Sequence, residues 1–146
     1  MKLQTSTTLA LYSVLEAASH ADKQVSAAEI AERYGVSTHH LAKVLRELGR
    51  AGILDSSRGV GGGYRFSGNA KRLTLMDVIE RFEDIGARSP EPGTAQTDAG
   101  RALGRVLSEI DDIAKATFRS ITIDTMLKLV ERAQSAAASR TPAAPG

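Results

Sequence analysis

The residues that could do chemistry crowd into one short stretch, Ser56 to Gly68, which reads SSRGVGGGYRFSG. Gly59, Gly61, Gly62 and Gly63 lie between Arg58 and Arg65, and Tyr64 follows them directly. Such a run lets the backbone turn tightly and approach another chain closely, because no Cβ intervenes. It could cradle the phosphates of a nucleotide, or form the tip of a hairpin laid against a polyanion. A phosphate-cradling loop reads GxxxxGK[ST], but here Gly59 is followed five residues on by Tyr64, with no Gly-Lys pair. The dinucleotide pattern GxGxxG fails at the same residue, since Gly59 and Gly61 would need a glycine at position 64.

His39 and His40 invite a metal reading. Neighbouring residues on a helix point about 100° apart, so the pair cannot readily share one ion without a third ligand, and the only other histidine is His20. The chain has no cysteine, which removes disulfides, thiolate metal sites and cysteine nucleophiles together. No nucleophile-base pair or carboxylate pair sits in a recognisable cleft motif, so the expectation is a protein that is not an enzyme, with no metal and no cofactor.

The elements that would hold the glycine stretch are legible from periodicity. Leu9, Leu11, Val14, Leu15 and Ala18 give a first helix from about Ser6 to Ser19. Ser26 and Glu29 form a capping box that opens a second helix, and Gly35 closes it. Ser37 caps a third, whose Leu41, Val44, Leu45 and Leu48 make one apolar stripe and which Gly52 ends. From about Ile53 to Phe66 the helical period disappears and a small β-hairpin is expected. Thr74 and Asp77 then cap LTLMDVIERFE, with Leu75, Val78, Ile79 and Phe82 as the buried face. Gly86 to Thr97 is a loop by composition. A long helix follows over about Asp98 to Arg119, then a final helix over about Ile123 to Ala137 and a Pro/Ala-rich tail expected to be disordered.

A Gly-Val-Ser turn between the second and third helices forces a sharp crossing, which is helix-turn-helix geometry, the alternative being an αα-corner with no nucleic-acid role. Small Ala31 suits the crossing point. If the third helix lies in a major groove, its start and outward face meet bases and phosphates, which nominates Ser37, Thr38, His39, His40, Lys43 and Arg46. A hairpin directly after this motif reads as a wing rather than a plain tight turn with solvated arginines, with Arg58 and Arg65 supplying charge, Gly59 to Gly61 the close approach and Tyr64 a further candidate DNA contact. The charge distribution is compatible. Residues 1–72 hold ten Lys/Arg against six Asp/Glu, a net of +4, whereas residues 73–146 hold nine against eleven, a net of −2. At 146 residues, 42% hydrophobic and 25% charged, the chain is about one domain long. It has no membrane-length apolar run and no signal-peptide pattern, so a cytoplasmic location is expected.

AEIAERYGVSTHHLAKVLRELGRAGIL, followed by SSRGVGGGYRF and LTLMDVIERFE, resembles the Rrf-two family of winged-helix regulators typified by IscR, NsrR and CymR. The wing signature Arg-Gly-x-x-Gly-Gly-Tyr is matched by Arg58, Gly59, Gly62, Gly63 and Tyr64. SITIDTML resembles the segment after the family's long dimerisation helix, and the likeness extends to about Val130.

The resemblance implies a mainly α fold with a β-hairpin wing, a winged helix-turn-helix over 1–84, a loop over 85–97, dimerisation and C-terminal helices over 98–137 and a tail over 138–146. It implies a homodimeric transcription regulator, expected to repress, that reads a near-palindromic operator in double-stranded DNA. Leu103, Val106, Leu107, Ile110, Ile113, Ala114 and Phe118 form the expected dimer face, part of which could instead be intrachain core. Two departures stand out. The glutamate that often follows the recognition-helix leucine is Ala42. The three cluster cysteines of some members align at about Ser89, Ala95 and Arg101, so no iron–sulfur cluster is expected. The effector is left open between a small molecule, a partner protein and none. The competing reading is a winged-helix module that docks a protein rather than DNA.

Overall fold

The computed structural model describes residues 1–57, 62–86 and 93–140. In chain order it runs α1 (Thr5–Ser19), α2 (Ala27–Tyr34), α3 (Thr38–Arg50), β1 (Leu54–Ser57), β2 (Gly63–Phe66), α4 (Leu75–Ile79), α5 (Asp98–Ser120) and α6 (Ile123–Arg140).

The helix ends follow from local chemistry. At α2, the Ser26 side chain accepts from the Glu29 amide at 3.1 Å while the Ser26 amide donates back to the Glu29 carboxylate. Each such cap contributes about 1 kcal/mol. Gly35 ends the helix at φ 63, where its amide reaches the Ala31 and Glu32 carbonyls. A Cβ at Gly35 would touch nothing within 4 Å, so the position requires glycine for its left-handed backbone and not for space. Two residues on, the Ser37 hydroxyl accepts from the His40 amide and starts α3.

Packing uses one face of each helix. Leu9, Ala10, Val14 and Ala17 of α1 join Ile30 and Ala31 of α2, Leu41, Val44, Leu45 and Leu48 of α3, and Val78 and Ile79 of α4 in a single core. The hairpin pairs Leu54 with Phe66 through to Ser57 with Gly63. A further antiparallel rung joins Val25 and Tyr64, whose amides and carbonyls exchange two bonds of 2.8 Å. A Cβ on Gly63 would stand 2.8 Å from the Val25 carbonyl oxygen. This glycine therefore serves the wing's own root, where the α1–α2 connection runs against it.

α4 is shorter than the sequence pattern led one to expect. After Ile79 the chain tightens, with Arg81 bonding to Val78 and Phe82 to Ile79. α6 is longer, and Ala138, Ser139 and Arg140, expected in the disordered tail, continue the helix. The alanine run at 136–138 explains this, since alanine has the strongest helix preference. Residues 141–146, the rest of that expected tail, lie outside the described residues.

The C-terminal helices are tied to the winged helix through main-chain atoms. Leu75 donates to the Ile121 carbonyl at 2.9 Å, Ile123 to Leu73 at 2.8 Å and Asp124 to Ala70 at 2.9 Å. Ile123 is fully buried beside this junction.

Candidate nucleic-acid interface

α3 presents two opposed surfaces. At roughly 100° per residue, His39, Lys43, Arg46 and Arg50 point away from the buried Leu41, Val44, Leu45 and Leu48. All four are exposed, as are Ser37 and Thr38 at the helix start. Among the described residues neither Lys43 nor Arg46 is held in an ion pair, whereas Arg50 lies 3.7 Å from Glu47. Arg50 was not nominated from the sequence, although its place four residues after Arg46, on the same face, carried the signal.

His40 departs from the outward group. It is half-buried, and its Nε2 lies 3.1 Å from the Ser6 hydroxyl, so it ties the first turn of α3 to α1. The 100° step between adjacent residues separates it from His39. Among the described residues, no group of three His, Cys, Asp or Glu is placed to hold a metal ion.

The hairpin stands beside the outward face of α3. Between them lies a cleft of about 670 Å³ lined by Ala42, Arg46, Gly49, Arg50, Ser56 and Ser57, among others. Arg65 is exposed on β2, directly across the ladder from Asp55. Tyr64 is half-buried and packs against the core, so its ring supports the wing from inside. Arg58, Gly59 and Gly61, nominated for the wing tip, lie outside the described residues.

A brace behind the site was not foreseen from the sequence. The Glu16 carboxylate on α1 accepts from Arg33 Nη1 at 2.9 and 3.1 Å and from the Tyr34 hydroxyl at 2.8 Å. Tyr12 stacks on Tyr34 with ring centroids 4.6 Å apart. Burial, reinforced by the bond to Glu16, pushes the Tyr34 phenol well above its usual range. The same carboxylate raises the Arg33 guanidinium. Together these contacts hold α2, and through the short turn α3, against α1.

α5 carries the expected apolar stripe. Leu103, Val106, Ile110 and Ile113 are exposed, Ile113 to 67%. Leu107 and Ala114 are half-buried, and Phe118 packs against the core of its own chain. No helix among the described residues is long and apolar enough to cross a membrane.

A sharp helix pair with a cationic outer face, followed by a hairpin that flanks it, defines a winged helix-turn-helix DNA-binding regulator. The chain belongs to the Rrf2 family, since residues 3–129 match the description "Rrf2: Iron-dependent Transcriptional regulator". It is similar to the Rhodopseudomonas palustris protein BadM, an HTH-type transcriptional regulator by name, with 51% identity over 131 residues covering 90% of this chain and 84% of BadM. It also resembles the solved structure of CymR, the global cysteine regulator of B. subtilis, with TM-score 0.72 and 26% identity over 88% of this chain and 98% of that one. The T. potens IscR structure, at 24% identity, shares the fold with TM-score 0.73 over 100% of this chain and 94% of that one. The protein is a DNA-binding transcriptional regulator and not an enzyme.

Proposed function

We propose that the protein is a homodimeric repressor that binds a near-palindromic operator and holds no iron–sulfur cluster. The observation that carries this reading is the pairing of two exposed faces on one chain. The outer face of α3 is cationic and polar, and α5 leaves four large apolar side chains in solvent. An apolar face of that kind is what a second copy of the chain covers, and a two-fold pair places two recognition helices about one helical turn of DNA apart or a multiple of it. In this reading Lys43, Arg46, Arg58 and Arg65 neutralise phosphates, while Thr38, His39 and the wing tip from Gly59 to Gly61 provide selectivity.

The donor set does not fit a cluster. The chain has no cysteine, and of the three aligned positions Arg101 carries a cation that pairs with Asp98 and donates to the Gln96 carbonyl at 2.7 Å. A guanidinium offers no lone pair to iron. The reading therefore has no iron or redox step. Iron and sulfide analysis of protein purified without oxygen is expected to find neither.

Selection of bound sequences from a random duplex library, followed by titration across salt concentrations, tests the rest. The expected result is one palindromic sequence, bound at least about a thousandfold more tightly than random duplex, with affinity falling steeply as salt rises. Recovery of no preferred sequence, with an intact fold, would sink the operator reading and favour a module that docks a protein.

A further inference from the structure

We propose that Arg81 is a DNA-phosphate contact, forming with Lys43 a second phosphate seat on the side of α3 opposite the wing. The inference rests on the DNA-binding reading above and adds a residue that lies outside both the helix-turn-helix and the wing. On the α3 wheel, Ala42 and Gly49 face the hairpin, whereas His40 and Glu47 face the other way, toward the start of α1. On that second side lies a cleft of about 310 Å³ lined by Gln4, Ser6, His40, Lys43, Glu47 and Arg81, with Val44 and Phe82 at its apolar floor.

A helix inserted in the major groove is bordered by two phosphate backbones, one on each flank. The wing-side cleft, with Arg46 and Arg50, suits one of them. The second cleft brings Lys43 and Arg81 together from elements far apart in sequence. Both are exposed, and among the described residues neither is held in an ion pair. Glu47, the one carboxylate on the lining, leans toward Arg50 at 3.7 Å. His40 is engaged with Ser6 and shapes the wall. Arg81 is held in place by the tight turn after α4, where its amide donates to Val78, so its guanidinium leaves a fixed backbone.

The test compares wild type, Arg81→Gln and Arg81→Lys on the selected palindrome and on random-sequence duplex over a range of salt concentrations. Arg81→Gln is expected to weaken both duplexes equally, by about fivefold near physiological salt, and to lower the slope of log affinity against log salt by about one. Arg81→Lys is expected to retain the wild-type slope. Melting temperatures should agree across the three proteins, because Arg81 is exposed, and this separates a lost contact from a lost fold. A wild-type slope in Arg81→Gln overturns the inference and leaves the DNA-binding reading standing. A wild type with no salt-dependent duplex affinity overturns both.

Discussion

α3 and α5 are both amphipathic helices that leave one face in solvent, and the two free faces are opposite in kind. That of α3 carries His39, Lys43, Arg46 and Arg50. These side chains are at home in water, so the helix is complete without a partner and gains one only where a polyanion offers phosphates. That of α5 carries Leu103, Val106, Ile110 and Ile113, which water disfavours at about 25 cal/mol for each Å² left bare. In the proposed reading, one exposed face is a functional surface that is stable alone, whereas the other is covered by a second copy of the chain.

The comparison can be broken first at α5. Ile110→Asp places a charge in the middle of the apolar stripe and is expected to yield a folded monomer by sedimentation. Losing the paired grip should reduce operator affinity by about a hundredfold or more. A dimer that survives the change would mean that the stripe is not the interface. On α3, the buried side is where damage unfolds. Leu45→Ala empties a fully buried site and should lower stability by about 2 to 5 kcal/mol in denaturant titration. Its exposed side should behave in the reverse way. Arg46→Ala is expected to leave the melting temperature within a degree or two of wild type and to cost about 1 to 3 kcal/mol of operator binding.

The smallest effect concerns the brace behind α3. Tyr34 has its phenol pushed upward by burial and by Glu16, so folding favours the neutral form. The stabilisation is fully present below the ordinary tyrosine value of about 10 and is lost as pH rises through the raised value. Alkaline melting curves should therefore fall off less steeply for Tyr34→Phe than for wild type.

Much of this was legible in the sequence because it is local. The boxes at Ser26 with Glu29 and Thr74 with Asp77, the stop at Gly35 and the stripe on α3 each lie within a few residues, and each took its expected place. What was not legible depends on contacts between distant segments. Gly63 reads as one more glycine of a hairpin tip, and its close neighbour proved to be Val25, thirty-eight positions earlier. His40 shares its polar character with His39, and the arrival of Ser6 beside it from α1 is a contact the sequence does not show. Glu16, Arg33 and Tyr34 carry no spacing that announces a shared carboxylate. Arg81 reads as a solvated arginine at the end of a helix until the fold brings it beside Lys43.

The junction between α4 and α6 is built from amide and carbonyl groups at Ala70, Leu73, Leu75, Ile121, Ile123 and Asp124. These bonds do not depend on which side chains the residues carry, although Leu75 and Ile123 also bury theirs here, and a proline at a donating position would remove one bond. The protein thus carries a ruler written partly in its main chain. In the proposed pair, the distance between the two reading helices is set by that ruler, so operators can diverge in bases more readily than in spacing. One inserted base pair, which turns a half-site by about 36° and shifts it by about 3.4 Å, should be tolerated less well than a changed base.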